Sequence, residues 1–186
     1  MESTNLKIYI THLQRARTQL KAHALDYLLV GPSADLFYLT GARLRPSERL
    51  SMLVVPQEGP ASLVLPNFEA AGLPSLAPEI QVVTWGESAN PARQVASIIA
   101  GSHVQNPGGA HFTIGVSDRL WSTFLLSLQL QLPRATFTSG SLALTSLRQT
   151  KSADEVALLA RSGESADAVF SEICKEPLAG LTEMAI

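Results

Sequence analysis

Cysteine is almost missing: Cys174 is the one thiol in 186 residues. A single thiol closes no internal disulfide, so burial alone must hold the fold, and a reducing, cytoplasmic setting is expected. Cys174 itself reads as a buried helix thiol rather than a nucleophile. An excess of charge of either sign is missing too. Fourteen Lys and Arg against sixteen Asp and Glu give a net charge of -2, which cannot neutralise a phosphate backbone and excludes nucleic acid as an expected partner. Long hydrophobic runs are absent as well. The uncharged stretch from Leu120 to Pro133 is too short to span a bilayer and is broken by Ser122, Thr123, Ser127, Gln129 and Gln131. Met1-Glu2-Ser3-Thr4-Asn5 has neither the positive start nor the apolar run of a signal peptide. A soluble, intracellular protein with no membrane partner is expected.

Motifs that carry chemistry are also lacking. There is no His-Glu-x-x-His, no Gly-x-Ser-x-Gly, no phosphate loop and no Ser-x-x-Lys. The four histidines are His12, His23, His103 and His111. His12 and His23 fall on the opening helical pattern about 16 Å apart at the helical rise, too far to share an ion. His103 and His111 flank the turn Asn106-Pro107-Gly108-Gly109 with no carboxylate between them and read as surface residues. Gly108-Gly109 followed by Gly115 lacks the spacing of a dinucleotide fingerprint. Asp118 stands directly before a helical pattern and reads as its cap. No catalytic residue and no metal ligand is expected within this chain.

What is present is a patterned α/β sequence. Leu6, Ile10, Leu13, Arg17 and Leu20 recur at helical spacing over residues 5–24. Tyr27 to Val30 is a short apolar run closed by Gly31-Pro32, as a strand buried on both faces would read. Phe37-Tyr38-Leu39-Thr40 reads as a second strand stopped by Gly41. Met52 to Val55 and Ser62 to Leu65, joined by Pro56-Gln57-Glu58-Gly59-Pro60, predict an antiparallel hairpin. A brief helix at Asn67 to Ala71, a strand at Gln81 to Trp85, a helix from Pro91 ended by Gly101, a strand at Phe112 to Val116 and a helix from Arg119 to Leu130 follow. Alternating strands and helices with one tight hairpin predict a mixed sheet with helices on its faces.

The C-terminal stretch carries a capping box, Ser152-Ala153-Asp154-Glu155. Behind it Val156, Leu159, Ala160, Gly163, Ala166, Val169, Phe170 and Ile173 form an apolar helix face that is expected to be buried. Thr182 has the look of a second N-cap with little helix behind it, so the chain reads as ending inside a larger protein. The loop Gly41 to Arg49 sets Arg43, Arg45 and Arg49 close together at the end of an element. Arginine suits a bidentate grip on a carboxylate, although a solvated loop reads the same way.

Three segments together resemble a known family. Tyr38-Leu39-Thr40-Gly41, preceded by Asp35-Leu36-Phe37, is similar to the strand-and-turn of the amino-terminal domain shared by creatinase, prolidase and Xaa-Pro aminopeptidases. Arg148-Gln149-Thr150-Lys151-Ser152-Ala153-Asp154-Glu155 resembles the signature leading into the catalytic domain, and Gly180-Leu181-Thr182-Glu183 a later turn of that domain. The resemblance implies an α/β fold, a mixed sheet of about six strands flanked by helices, ribonuclease H-like, over residues 1–147. Residues 148–186 would then be the connecting helix and truncated start of the catalytic pita-bread domain.

By the same resemblance this chain is the non-catalytic domain of a proline-directed metallopeptidase, an Xaa-Pro dipeptidase or aminopeptidase. It would add dimer contacts and a wall of the cleft for a proline-containing peptide. The two divalent ions (manganese, cobalt or zinc) of such enzymes would bind beyond Ile186, where they lower the pKa of water and polarise the scissile carbonyl. Arg43, Arg45 and Tyr38 are the expected substrate contacts. One alternative is a stand-alone peptide- or protein-binding module on the same fold. Another is a free-standing enzyme built on the region from His103 to Asp118.

Overall fold

The computed structural model describes residues 2–102, 111–175 and 179–184. His103 and the Asn106 to Gly109 turn lie outside the described residues. The chain divides into two compact units, Met1–Leu147 and Arg148–Ile186.

In the first unit, helix α1 (Glu2–Ala22) leads into β1 (Tyr27–Val30), α2 (Ala34–Thr40), β2 (Met52–Pro56), β3 (Ala61–Pro66), α3 (Asn67–Ala70) and β4 (Ile80–Trp85). Then come α4 (Pro91–Ser102), β5 (Phe112–Val116), α5 (Ser122–Gln131), β6 (Ala135–Ser139) and α6 (Ser141–Gln149). The six strands form one sheet in the order β4-β3-β2-β1-β5-β6. Strand β2 runs antiparallel to both neighbours and the remaining pairs are parallel. The sheet is therefore mixed, as the sequence predicts.

Alternation along each strand feeds two cores, because successive side chains point to opposite faces. Leu28 and Val30 of β1 join Leu53, Val55, Leu63 and Leu65 beneath Leu13 and Leu20 of α1, Leu36 and Leu39 of α2 and Leu147 of α6. Tyr27 and Leu29 join Met52, Val54 and Val64 beneath Val95 and Ile99 of α4 and Leu128 of α5. Each fully buried aliphatic side chain contributes about 1.5–3 kcal/mol of transfer free energy, so the doubly covered central strands fix the register. Beyond β1 the close approach of β5 to α6 needs glycine. A Cβ on Gly140 would stand 2.6 Å from a Leu28 methyl and 3.3 Å from the Gly115 backbone.

Several expectations change. Phe37 to Thr40 is no strand: it is the end of α2, whose Ser33 N-cap accepts from the Leu36 amide and which buries Leu36, Leu39 and Thr40. The sixth strand is β6, over residues for which the sequence predicts no strand. Gly101 lies inside α4 rather than after it. Asp118 caps nothing; α5 starts at Ser122 behind Trp121, which makes no side-chain cap. Asp118 instead accepts from the hydroxyls of Ser139, at 3.2 Å, and Ser141.

The second unit consists chiefly of α7 (Ala153–Ile173), whose capping box is complete: the Ser152 side chain accepts from the Glu155 amide and the Glu155 side chain from the Ser152 amide. Its apolar face is exposed, Val156, Leu159, Val169 and Phe170 included. Cys174 is exposed as well, at the C-cap and followed by Lys175, not a buried thiol. Residues 181–184 form no helix. No helix among the described residues is long and apolar enough to cross a membrane.

Candidate functional site

The expected site residues stand where α2 ends and the arginine loop begins. Helix α2 closes on Gly41, whose φ of 75° lies in the left-handed region and whose amide donates to the Phe37 carbonyl at 2.7 Å. Glycine is demanded twice over, since a Cβ there would also meet the Tyr9 ring at 2.6 Å. Thr40 locks the same corner: its hydroxyl donates to the Leu36 carbonyl at 2.8 Å and accepts from the Ala42 amide at 3.0 Å.

Tyr38 is tied inward. Its ring stacks on the buried His12 imidazole at 3.7 Å and 11°. His12 Nδ1 lies 2.7 Å from the Tyr38 carbonyl, which can only accept, so that nitrogen carries the proton. The Tyr38 hydroxyl donates to the Leu147 carbonyl at 3.1 Å and accepts from Arg15 at 3.0 Å, while Arg15 also donates to the same carbonyl at 3.0 Å. Helices α1, α2 and α6 are thereby pinned at one point, and Tyr38 has an internal anchoring role that the sequence did not announce.

The three loop arginines separate in environment. Arg49 stacks over Phe68 at 5.0 Å and bridges to Glu87 at 3.3 Å. Arg43 is exposed but lies over Phe37 at 4.4 Å. Arg45 is exposed, and no described residue forms an ion pair or hydrogen bond with it. Arg43 and Arg45 are therefore the accessible cations of this loop, and a stacked guanidinium like that of Arg43 keeps its N–H edges for a carboxylate.

Next to this loop runs a groove that the sequence reading missed. Pro32, Pro46, Ser47, Arg49, Arg119, Leu120, Trp121 and Phe124 line it. It lies at the carboxyl ends of β1 and β5, whose following loops are joined by the Gly31 amide donating to the buried Ser117 hydroxyl at 3.2 Å. The available signal was an arginine and a tryptophan directly after a parallel strand; a helix start placed three residues too early hid it.

A metal centre needs converging ligands. Among the described residues no three His, Cys, Asp or Glu side chains come together to hold an ion. His12 is used in its stack, His23 is exposed in the turn after α1, and His111 lies 3.1 Å from the Arg134 carbonyl. The two ions implied by the resemblance do not fit the described residues of this chain.

Comparison with known proteins bears directly on these features. The model of the Creatinase/Prolidase N-terminal domain matches residues 12–150. The probable dipeptidase PepE of Mycobacterium tuberculosis is 29% identical over 180 residues, which are 95% of this chain and 46% of that protein. The chain thus spans a little under half the length of the curated relatives it matches first. The crystal structure of dipeptidase PepE from Mycobacterium ulcerans superposes with a TM-score of 0.76 at 30% identity, covering 90% of this chain and 43% of that one. A recombinant prolidase from Thermococcus sibiricus shares the fold with a TM-score of 0.79 at 23% identity, over 95% of this chain and 47% of that one. The match runs from His12 in α1, through the Tyr-Leu-Thr-Gly helix end and the mixed sheet, to Thr150 just past α6, and so this chain belongs to the creatinase/prolidase N-terminal domain family.

Proposed function

We propose that the chain is the non-catalytic amino-terminal part of a proline-directed metallopeptidase, an Xaa-Pro dipeptidase or aminopeptidase working as a cytoplasmic homodimer. The observation that carries this reading is the family match over residues 12–150 in a chain aligned with 46% of a protein named as a dipeptidase. In this reading residues 148–186 lead into the catalytic half, which supplies the two divalent ions and the hydrolysis. This chain adds dimer contacts and one wall of the substrate cleft. Arg43 and Arg45 present their guanidinium groups to a peptide carboxylate, while Tyr38, half-buried at the same corner, holds α2 in place behind them and joins them as the third substrate contact of this reading.

Two measurements on a protein extended through the catalytic half test the reading. The extended protein, given manganese, hydrolyses Xaa-Pro dipeptides and the 186-residue chain alone does not; turnover by the shorter chain would overturn the proposal. Arg43→Ala with Arg45→Ala raises KM about tenfold or more with kcat changed far less, as expected for loss of a charge-assisted grip on the ground state and transition state alike. An unchanged KM removes the two arginines from the cleft.

A further inference from the structure

Apart from any role in proline-directed hydrolysis, we propose that the cavity between the β2–β3 turn and the carboxyl end of α4 binds a small uncharged ring compound, anchored by one hydroxyl or amide group on Ser62. The sheet register makes this cavity. Val54 of β2 stands opposite Ser62 of β3, and Ser62 opposite Gln81 of β4. Residues paired in register share a face, so the three side chains form one row on the face that carries Val54 into the second core. Two residues along each strand the same face presents Val64 and Val83, which pack into that core. At Ser62 and Gln81 the packing stops and a cavity of about 360 Å³ opens, walled also by Tyr27 and by Ile98 of α4. Small-molecule pockets span about 300–1,000 Å³.

Ser62 is the observation that points to a ligand. It is 5% exposed, and its hydroxyl has no hydrogen-bond partner among the described residues. A buried hydroxyl left unpaired is costly, and the other residues of β3, from Ala61 to Pro66, are all apolar. Serine thus interrupts an apolar strand at the point where the strand meets the cavity, and its hydroxyl can both donate and accept there. Gln81 stands exposed beside it, likewise without a partner among the described residues. The ligand's charge follows from the rest of the lining. Among the described residues that form the cavity Glu58 alone is charged, and Lys21 pairs with it at 3.0 Å, so no net charge is left to hold an ion. Val54, Ile98 and the Tyr27 ring offer apolar surface instead. A ring with a single polar group matches this lining, the ring against the aliphatic wall and the polar group on Ser62. Water alone would satisfy the hydroxyl but leave the apolar wall wet.

Para-cresol is the simplest probe. Added to the 186-residue chain, it is expected to give saturable amide chemical shifts at Val54, Ser62 and Gln81, with a Kd of about 1 mM or tighter. Toluene lacks the hydroxyl, and para-toluate and para-methylbenzylammonium carry a charge; each binds about tenfold more weakly or worse. Ser62→Ala brings para-cresol down to the level of toluene without lowering the unfolding midpoint, because the hydroxyl removed has no protein partner. Ser62→Thr keeps a hydroxyl and with it the preference for para-cresol over toluene. The proposal is overturned by the absence of a saturable shift up to ten times the expected Kd, which would leave the cavity to water. Equal affinity for para-cresol and toluene, tighter binding of either charged analogue, or full affinity in Ser62→Ala would overturn it as well.

Discussion

Gly41 concentrates two constraints in one residue. Its φ of 75° is costly for any side chain, about 1–2 kcal/mol, and a Cβ would force the Tyr9 ring aside. Gly59 gives the matched control: its φ is 90° but nothing lies within 4 Å of an added Cβ. Gly41→Ala is therefore expected to lower the unfolding free energy in urea by about 2–4 kcal/mol, against about 1–2 kcal/mol for Gly59→Ala. Combining Gly41→Ala with Tyr9→Leu recovers part of the excess, and equal losses at the two glycines would show that the Tyr9 contact carries no weight. The corner that Gly41 closes was legible as a stop signal, but the network behind it was not. Tyr38 meets its hydroxyl partners Arg15 and Leu147 across 23 and 109 residues, separations at which no local pattern speaks. Arg43 and Arg45 could be named from the sequence because their bare charge density needs no partner to be seen. Arg119 and Trp121 could not, because it is the pairing of β1 with β5 that turns two ordinary loop residues into one groove.

Helix α7 shows what local chemistry can do without burial. None of its 21 residues is buried, so its first turn depends on the reciprocal bonds of the capping box, 3.2 Å from the Glu155 amide to the Ser152 hydroxyl and 2.8 Å from the Ser152 amide to the Glu155 carboxylate. Ser152→Ala is expected to weaken the helix by about 1 kcal/mol, seen as reduced far-UV circular dichroism and faster amide exchange in the first turn. The cooperative unfolding of the sheet should not shift; a shifted midpoint would show that α7 and the sheet melt together. That capping box was plain in the sequence, as were α1, the β2–β3 hairpin and β5, each carried by a local period or turn. Two elements were not legible, for different reasons. Phe37 to Thr40 has the aromatic and β-branched composition of a strand, yet the Ser33 cap and the burial of Leu36, Leu39 and Thr40 at helical spacing win, an override of propensity by packing. Strand β6 failed the opposite way. It is an edge strand with only Ala135 and Phe137 turned to the core, too weak an alternation to stand out beside the leucine-rich α5.

At the scale of the molecule, the point where the sheet unit ends is set by α6 rather than by any linker composition. Ala143, Leu144 and Leu147 are buried in the first core, and the Leu147 carbonyl receives both Arg15 and Tyr38. Everything from Lys151 to Cys174 stays at the surface but for a half-buried Glu155. Removal of residues 151–186 is therefore expected to leave the thermal midpoint within about 2 °C, because exposed positions contribute within about 0.5 kcal/mol, while the helical dichroism of α7 disappears. Cutting before Leu144 instead deletes two buried leucines, worth about 2–5 kcal/mol each, and strips the Arg15 guanidinium and the Tyr38 hydroxyl of their shared acceptor. That shorter chain should unfold at least about 10 °C lower or fail to accumulate as folded protein. If the first truncation melted as early as the second, the sheet unit would depend on the residues after Thr150, and the division at Leu147 would not be a boundary of stability.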